Sequence, residues 1–367
     1  MNETKPLLLL GIGGAGAAIA RGINRASGTG LRYLLADTDA TTGNPGEPFI
    51  LLGGDRLSGH GSGGDIGQAS LAAEDSLLAL DDELEGVRLA IITTCLGGGT
   101  GSGATLAICK HLHERGIATL VFATLPFAFE GEERQRSAVG TAAFIAEAAS
   151  SAIIIPLDKL IAETDVMNEA LRRAVDTLAS GVTLFWRMIA KPGYIRLDAE
   201  RIRHIIAKAG NGRFAVASAQ GPHRAAEVID ALSRAQTLVA GTGPVSSILC
   251  GVLAGDDLRL SEIGQVADGI RSAFGERSAF DLATVNDEET FSGRLSVVIL
   301  LFESGKDEPA EQSSGATGGR RTRRQAKNPL AQGPQGRGRF NNVEPTVWRG
   351  EDLDTPTFMR RNISLDL

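Results

Sequence analysis

Two glycine-rich segments carry residue types that bind phosphate. In the first, Gly11, Gly13 and Gly16 follow an apolar stretch, and Asp37 closes the next apolar stretch. This is the dinucleotide-binding pattern in its usual context, and by itself it favours an NAD-type oxidoreductase. The second segment, residues 97–103, reads GGGTGSG. Its glycines and hydroxyls expose many backbone N–H groups in front of a predicted helix, where the helix dipole favours anions. A second cradle of this kind suits a nucleoside triphosphate better than a dinucleotide.

Predicted strands and helices place both segments at one edge of a sheet. Strands are predicted at residues 7–10, 31–37, 87–95, 117–124 and 152–156. Helices are predicted at residues 68–84, 103–115 and 166–189, and residues 53–67 are predicted to form a loop. This alternation is typical of an α/β fold with a parallel sheet and helices on both faces. Ligands of such sheets bind beyond the carboxyl ends of the strands, where each glycine-rich loop falls.

A smaller second α/β domain is predicted after the long helix. Its strands are predicted at residues 213–220, 245–254, 279–286 and 293–303, and its helices at 222–236 and 260–274. Residues 304–350 contain almost no apolar side chains. Such a segment cannot bury enough surface to offset chain entropy, so it is predicted to be a disordered linker. The predicted divisions are 1–165 (nucleotide-binding domain), 166–192 (central helix), 193–303 (second domain), 304–350 (linker) and 351–367 (C-terminal peptide).

Composition excludes several classes of protein. The chain has 367 residues, 46 of them glycine, and a formal net charge of −7. It lacks the composition of a collagen, a coiled coil or a disulfide scaffold. Its three cysteines suit a reducing cytoplasm, and no apolar run approaches the length of a membrane span. The polar N-terminus is unlike a signal peptide. The acidic charge argues against specific binding of nucleic acid. We therefore expect a cytoplasmic protein.

Five motifs together resemble bacterial FtsZ, within the tubulin/FtsZ superfamily, over nearly the whole chain. The segment GGGTGSG is similar to the superfamily signature, and residues 11–23 (GIGGAGAAIARGI) resemble the first phosphate loop. Residues 36–40 (ADTDA) resemble the Asn-Thr-Asp-Ala loop, and residues 61–63 (GSG) the loop that faces the terminal phosphate. Residues 126–134 (PFAFEGEER) resemble P-F-x-F-E-G-x-x-R. The resemblance implies GTP/GDP binding, with Mg²⁺ held mainly by phosphates and water and no metal site made by protein ligands.

The resemblance also implies a set of nucleotide-binding residues. The phosphate loops would contribute Gly13, Gly14, Ala15, Gly16, Asp37, Gly61, Ser62, Gly63, Gly97, Gly98, Gly99, Thr100, Gly101, Ser102 and Gly103. Glu130 would bind the ribose hydroxyls, and Arg134 would lie beside ribose and phosphate. From spacing alone, these two residues would be a helix-start acid and a surface ion pair.

The base-binding positions depart from the family pattern. Leu171 and Val175 stand where the family has a stacking Phe and a hydrogen-bonding Asp or Asn. Leu171 can pack on a base, but Val175 cannot accept a hydrogen bond. Asp176 is adjacent and could take that role, or it could simply be solvated. Guanine specificity therefore follows from the resemblance and not from these residues.

A second departure affects catalysis. In the family, a loop of the neighbouring subunit with the pattern Asn-x-Asp-x-x-Asp completes the active site, and its acids position the attacking water. Residues 196–201 here read RLDAER, so Asp198 alone is retained, with Glu200 one residue out of register. The resemblance implies catalytic roles for Asp198 and Glu200. Arg196 and Arg201 could stabilise the transferring charge or only bind ground-state GTP. Two alternatives stay open: a GTPase, and a filament or scaffold protein with little hydrolysis.

The C-terminal residues resemble a partner-binding peptide. Residues 352–361 (DLDTPTFMRR) are similar to the FtsZ peptide that recruits division proteins such as the membrane tether FtsA. Residues 351–361 are thus predicted to bind an FtsA-like partner, with only indirect membrane contact. Taken together, the resemblance implies a protein of the mid-cell division site that binds GTP and polymerises head to tail with itself.

Overall fold

The computed structural model describes residues 6–27, 31–160, 166–190, 193–239, 243–304, 347–348 and 351–352. The strands are β1 (Leu7–Ile12), β2 (Tyr33–Asp37), β3 (Phe49–Leu51), β4 (Leu89–Cys95), β5 (Ala118–Leu125), β6 (Ser151–Pro156), β7 (Ala209–Gln220), β8 (Val245–Ala254), β9 (Ala279–Asn286), β10 (Arg294–Ser304), β11 (Val347–Trp348) and β12 (Glu351–Asp352). The α-helices are α1 (Gly13–Ser27), α2 (Gly54–Leu57), α3 (Ile66–Asp75), α4 (Leu77–Glu83), α5 (Thr105–Glu114), α6 (Glu132–Ala148), α7 (Met167–Ala190), α8 (Ala199–Lys208), α9 (Arg224–Ser233), α10 (Gln236–Val239), α11 (Leu260–Phe274) and α12 (Glu288–Phe291). Among these helices, none is long and apolar enough to cross a membrane.

Ten strands form one sheet in the order β3-β2-β1-β4-β5-β6-β7-β10-β8-β9. From β3 to β7 every neighbouring pair is parallel, which confirms the predicted fold class. β10 runs antiparallel to both β7 and β8, and β9 is parallel to β8. β6 and β7 are joined by the single residue pair Ile153 and Gly212. The strands of the predicted second domain therefore continue the sheet of the first.

Strand β1 shows why its sequence is apolar at every position. Leu7 and Leu9 belong to a core shared with α1, α7 and α8, whereas Leu8 and Leu10 belong to a core on the other face with α3, α5 and α6. Successive side chains of a strand point to opposite faces. A strand with helices on both sides must therefore be apolar throughout, as parallel sheets commonly are.

Several elements differ from those predicted. The predicted helix 68–84 is two helices broken at Ser76, whose hydroxyl donates to the Ala72 carbonyl and accepts from the Gly53 N–H. The predicted loop 53–67 contains the short helix α2. The predicted helix 222–236 ends at Ser233 and is followed by α10. Helix α8 is absent from the prediction and bears directly on the predicted catalytic residues.

The chain divides into two compact units, residues 1–310 and 311–367. In the second unit the structure describes one antiparallel pairing, Val347 with Asp352 and Trp348 with Glu351. The predicted linker is otherwise outside the described residues, as are residues 353–367 of the predicted peptide. The predicted domain boundaries remain predictions.

Candidate functional site

A cleft of about 440 Å³ lies beyond the carboxyl ends of β1, β2 and β4. Its lining residues are Ile12, Gly13, Gly14, Ala15, Gly16, Asp37, Thr38, Asp39, Thr42, His60, Gly61, Ser62, Gly63, Gly64, Cys95, Gly98, Gly99, Thr100, Gly101 and Arg134. The volume is in the range of small-molecule and cofactor sites. Most residues of the predicted phosphate loops therefore meet in one place, where four stretches of sequence are joined by Arg134 from α6.

The first glycine segment brings the N-terminus of α1 into the cleft. Gly13 starts the helix with φ +75°, a conformation that favours glycine. A β-carbon at Gly16 would overlap the Thr93 carbonyl of β4, and the Thr93 hydroxyl donates to the Gly16 carbonyl at 3.0 Å. This close approach holds the start of α1 against the sheet. The free N–H groups of its first turn consequently face the cleft.

In the second glycine segment, structural and cleft-facing positions can be distinguished. Residues Thr100–Ala104 form a π-helical turn that leads into α5. A β-carbon at Gly101 would overlap the Cys95 carbonyl, whereas a β-carbon at Gly98 would have no described atom within 4 Å. Gly98 lines the cleft. The absence of a side chain at Gly98 therefore leaves space for a ligand. At Gly101 the corresponding space is filled by the Cys95 carbonyl.

Hydroxyl groups fix this turn from inside. Ser102 accepts a hydrogen bond from the Gly97 N–H at 3.1 Å, and Thr94 donates to the Gly101 carbonyl at 2.9 Å. The Thr100 hydroxyl lies 2.7 Å from that of Thr38 on the neighbouring loop. Neither Gly97, Ser102 nor Gly103 lines the cleft. Of these three residues predicted to contact the nucleotide, Gly97 and Ser102 instead hold the turn through their hydrogen bond, and a β-carbon at Gly103 would overlap the Ile66 carbonyl.

Asp37 is buried and already has its partners. Its Oδ1 accepts from the Thr38 N–H at 2.7 Å, and its Oδ2 accepts from the Thr42 hydroxyl at 2.7 Å. Only 4% of the residue is exposed. Asp37 thus shapes the loop that closes one side of the cleft, and its carboxylate is not free to take both hydroxyls of a ribose.

Asp39 and Cys95 also line the cleft, although neither is among the site residues predicted from the sequence. Hydrogen bonds from the side chain and backbone of Thr41 lower the pKa of Asp39, so this exposed carboxylate is charged at neutral pH. Burial raises the pKa of the Cys95 thiol, which stays uncharged. The signal for Asp39 was present, since it lies in the ADTDA motif. Cys95 belongs to no motif. It lines the cleft because it is the last residue of β4, whose carboxyl end borders the cleft.

Glu130 and Arg134 form an ion pair at the edge of the cleft. Arg134 Nη1, in the first turns of α6, lies 3.2 Å from Oε2 of Glu130, four residues earlier in the sequence. Glu130 Oε1 also accepts from the Phe127 N–H at 2.8 Å. Arg134 packs over Gly97 and lines the cleft, whereas Glu130 does not. The surface ion pair expected from spacing alone is present, and Arg134 also has the cleft position that the resemblance implies.

A wide groove of about 930 Å³ lies between α1 and α7. Val175 and Asp176 line it, and the two helices approach closely where Gly22 faces Ala179. Asp176 is 69% exposed, with Arg172 Nε at 3.9 Å from its carboxylate. The side chain of Leu171 is outside the described residues. The structure therefore places two of the three predicted base-binding residues on one groove.

The predicted catalytic residues lie at the opposite end of the sheet. Glu200 lines a small cavity with Pro6 and Leu7 at the start of β1, whereas the cleft follows the end of that strand. Asp198 is the N-cap of α8, and its Oδ1 accepts from the Arg201 N–H at 2.8 Å. A hydrogen bond from Arg203 lowers the pKa of Glu200. Within one chain, neither acid is brought to the cleft.

Known proteins similar to this chain agree with the fold. Residues 6–165 match the model of the Tubulin/FtsZ family, GTPase domain. Over 366 residues the chain is 28% identical to the cell division protein FtsZ of Pseudomonas putida, covering 98% of the chain and 89% of the relative. It is 30% identical over 309 residues to FtsZ of Magnetospirillum gryphiswaldense, covering 82% of the chain but only about half (54%) of that relative.

Two solved structures show the same fold. An empty FtsZ dimer of M. jannaschii superposes with a TM-score of 0.74 at 22% identity, covering 84% of this chain and 95% of that one. The second structure is a GTPγS-bound protofilament of CetZ2 from Haloferax volcanii. It superposes with a TM-score of 0.67 at 21% identity, covering 82% of this chain and 95% of that one. At these identities the likeness establishes the architecture alone.

Proposed function

We propose that this chain, whose residues 6–165 match the GTPase domain of the Tubulin/FtsZ family, binds GTP in the glycine-lined cleft, assembles head to tail and hydrolyses GTP where two subunits meet. The cleft suits phosphates because it joins the N-terminus of α1 to the glycine turn before α5. Both present backbone N–H groups without side chains in the way. GTP specificity is carried over from the family.

A Mg²⁺ ion fits the charge of this cleft. Asp37 and Asp39 line it, and Arg134 is the only Arg or Lys among its described lining residues. An anionic nucleotide therefore gains from a cation bound to its phosphates. Asp39, with an exposed carboxylate, could add an oxygen ligand or hold a coordinating water, in keeping with the oxygen ligands that Mg²⁺ prefers. When bound, the ion would neutralise part of the negative charge of the phosphates.

One observation carries the head-to-tail proposal: α7 separates the two halves of the site. The helix has 24 residues and is about 36 Å long at the rise of an α-helix. Asp176, in the first half of the helix, lies on the groove beside α1, and Ile189, about 20 Å further along the helix axis, lies beside Pro6 and Leu7 at the start of β1. Asp198 follows at that far end. If Asp198 acts on a nucleotide in the cleft, it must act on the nucleotide of another subunit.

Two rival functions remain to be separated. An NAD-type oxidoreductase is disfavoured because Asp37 is buried and its carboxylate is turned into its own loop, where it bonds to Thr38 and Thr42. A filament protein with little hydrolysis is favoured by Arg196 and Arg201, which stand where the family has Asn and Asp. We place the active enzyme first because Asp198 is retained and is held at a defined position by α8.

The wider role follows from the relatives. The matched proteins are named cell division protein FtsZ. We propose that this chain acts in division at mid-cell in the cytoplasm, and that residues 351–361 bind an FtsA-like tether, which makes any membrane contact indirect. No role in specific nucleic-acid binding is proposed.

The test measures nucleotide identity and turnover on the full chain. Chromatography of the nucleotide released by denaturation should give GTP or GDP, and recovery of NAD would overturn the proposal. Phosphate release per subunit should rise with protein concentration, because each site takes parts from two subunits. Turnover that stays constant over a hundredfold dilution would refute the shared site. Assembly with GTP but no phosphate release would establish the filament protein with little hydrolysis.

A further inference from the structure

The segment that precedes α8, residues 193–198, is held rigidly against the edge strand β9. Gly193 N–H donates to the Thr284 carbonyl at 2.7 Å, and Ile195 N–H donates to the Thr284 hydroxyl at 2.9 Å. The Thr284 N–H donates back to the Ile195 carbonyl at 2.9 Å. A β-carbon at Gly193 would overlap the Asn286 side chain, so the backbone lies tightly on the strand. Arg196 is therefore presented from a fixed backbone.

Arg201 is not available to a ligand. Its Nε and Nη2 donate to the two carboxylate oxygens of Asp281, each at 3.0 Å. This hydrogen bonding raises the pKa of Arg201, and the pair has the two-pronged geometry that guanidinium and carboxylate prefer. Arg203 is likewise bonded to Glu200. Both guanidinium groups are committed within the subunit.

Arg196 differs from these neighbours. It is exposed, and the described part of the chain places no carboxylate within 4.0 Å of its guanidinium. Tyr194, two residues before Arg196, is 70% exposed, so the tip of this segment projects from the surface. A guanidinium without an internal partner, on a backbone fixed by three hydrogen bonds, is suited to an external anion.

The cleft lacks such a cation. Its side-chain charges are the carboxylates of Asp37 and Asp39 and the guanidinium of Arg134, which lies 3.2 Å from Glu130. Bound phosphates would thus face more negative than free positive charge from the described residues of their own subunit. An arginine supplied from outside would be attracted to them at short range, where the protein screens charge less than water does.

We infer that Arg196 of one subunit binds the nucleotide phosphates in the cleft of the next, and that Arg201 does not. This inference rests on the proposed head-to-tail assembly and identifies the group that links assembly to the bound nucleotide. Arg196 acts on the neighbour, so its loss should leave nucleotide binding by the isolated subunit unchanged.

The test compares Arg196→Ala with Arg88→Ala, which removes another exposed cation at the same end of the subunit. Loss of a hydrogen bond to a charged group should raise the critical concentration for GTP-dependent pelleting by about tenfold or more. Arg88→Ala should change it by less than about threefold, as is usual for an exposed charge. Arg196→Lys should recover part of the loss, since lysine keeps the charge but not the planar fork.

A mixing experiment assigns the effect to the neighbouring subunit. Gly98→Val subunits have an obstructed cleft but retain Arg196, so they can supply Arg196 to the GTP held by Arg196→Ala subunits. The phosphate release of the mixture should exceed the sum of the two variants measured alone. No gain on mixing, or an Arg196→Ala variant that assembles as the wild type does, would overturn this inference while leaving the proposed function intact.

A failure of the proposed function has a different signature. Wild-type subunits that do not bind GTP, or whose turnover is independent of concentration, would remove the shared site itself. Weaker GTP binding by Arg196→Ala below the assembly concentration would show that Arg196 serves its own subunit, which also overturns the inference.

Discussion

Substitutions at Gly98 and Gly101 should separate ligand binding from folding. From the sequence alone the glycines of residues 97–103 are equivalent, so a Gly101→Val substitution is expected to block phosphate binding without disturbing the fold. The structure changes that expectation. A β-carbon at Gly101 would overlap the Cys95 carbonyl and lie 3.2 Å from Thr94 Oγ1, whereas Gly98 faces open space in the cleft. Gly98 is also outside the left-handed backbone region.

The magnitudes follow from these contacts. Gly98→Val should displace a phosphate from one backbone N–H, a loss of about 1.5–3 kcal/mol for a hydrogen bond to a charged group. That loss corresponds to GTP binding about 10- to 150-fold weaker. Overpacking against backbone at Gly101 should cost about 1–3 kcal/mol of folding free energy. For a domain of this size the melting temperature should then fall by several degrees, at roughly 2–4 °C per kcal/mol.

The assay measures binding and stability on the same preparations. A fluorescent GTP analogue titrated below the assembly concentration gives the affinity, and calorimetry without nucleotide gives Tm, because bound ligand would itself raise Tm. Gly98→Val should bind GTP more weakly at an unchanged Tm, whereas Gly101→Val should both bind GTP more weakly and melt at a lower temperature. Wild-type affinity in Gly98→Val would refute the assignment of the glycine turn as the phosphate cradle.

Three other perturbations test separate parts of the chain. Asp198→Asn keeps the helix cap but removes the charge, so phosphate release should fall at least tenfold while Tm and GTP binding stay near wild type; unchanged turnover would move the role to Glu200 or elsewhere. Arg224→Met removes a buried guanidinium bonded to Glu262 and Asp257 and should cost about 3–5 kcal/mol at pH 7 by urea denaturation. Arg224 lowers the pKa of Glu262 below its usual 4.5, so the stabilisation is present above that pH and is lost as the pH falls through the lower folded-state pKa. The free energies of unfolding of Arg224→Met and wild type should therefore become more similar below pH 4.5. A difference in unfolding free energy that stays constant with pH would contradict this linkage. Deletion of residues 351–367 should abolish binding to an FtsA-like partner in co-sedimentation but leave GTP-dependent pelleting unchanged; loss of pelleting would argue against a separate tail.

Local patterns predicted the sheet well because each strand carries its own signal. The strand predicted at residues 279–286 is observed as Ala279–Asn286, and the glycine segments do follow β1 and β4. Helix α8 was missed although its signal was present. Ile202, Ile205 and Ile206 have helical spacing and are buried, and Asp198 is a preferred N-cap.

The site itself could be predicted only where it is made of short segments. The loops that line the cleft could be predicted because each motif is contiguous in sequence. The groove beside α1 depends on the approach of Gly22 to Ala179, and the commitment of Arg201 depends on Asp281 from β9. Such contacts join residues far apart in the chain, so neither composition nor spacing reveals them. From the sequence, Arg196 and Arg201 are therefore equivalent candidates for binding phosphate. The tertiary structure distinguishes them, because it pairs Arg201 with Asp281.

The cap at α8 also explains how a loop that has lost two family residues could still position a water. A carboxylate has two oxygens and about four sites that accept hydrogen bonds. The bond from the Arg201 N–H uses one site on Oδ1 of Asp198 and fixes the rotamer, while Oδ2 has capacity left. The backbone ahead of it is held to Thr284, and the Arg201 side chain is held to Asp281. A functional group must be held within a fraction of an ångström, and rigid elements achieve this better than loops do. The capping bond is thus compatible with catalysis, because it orients the one acid that the loop retains.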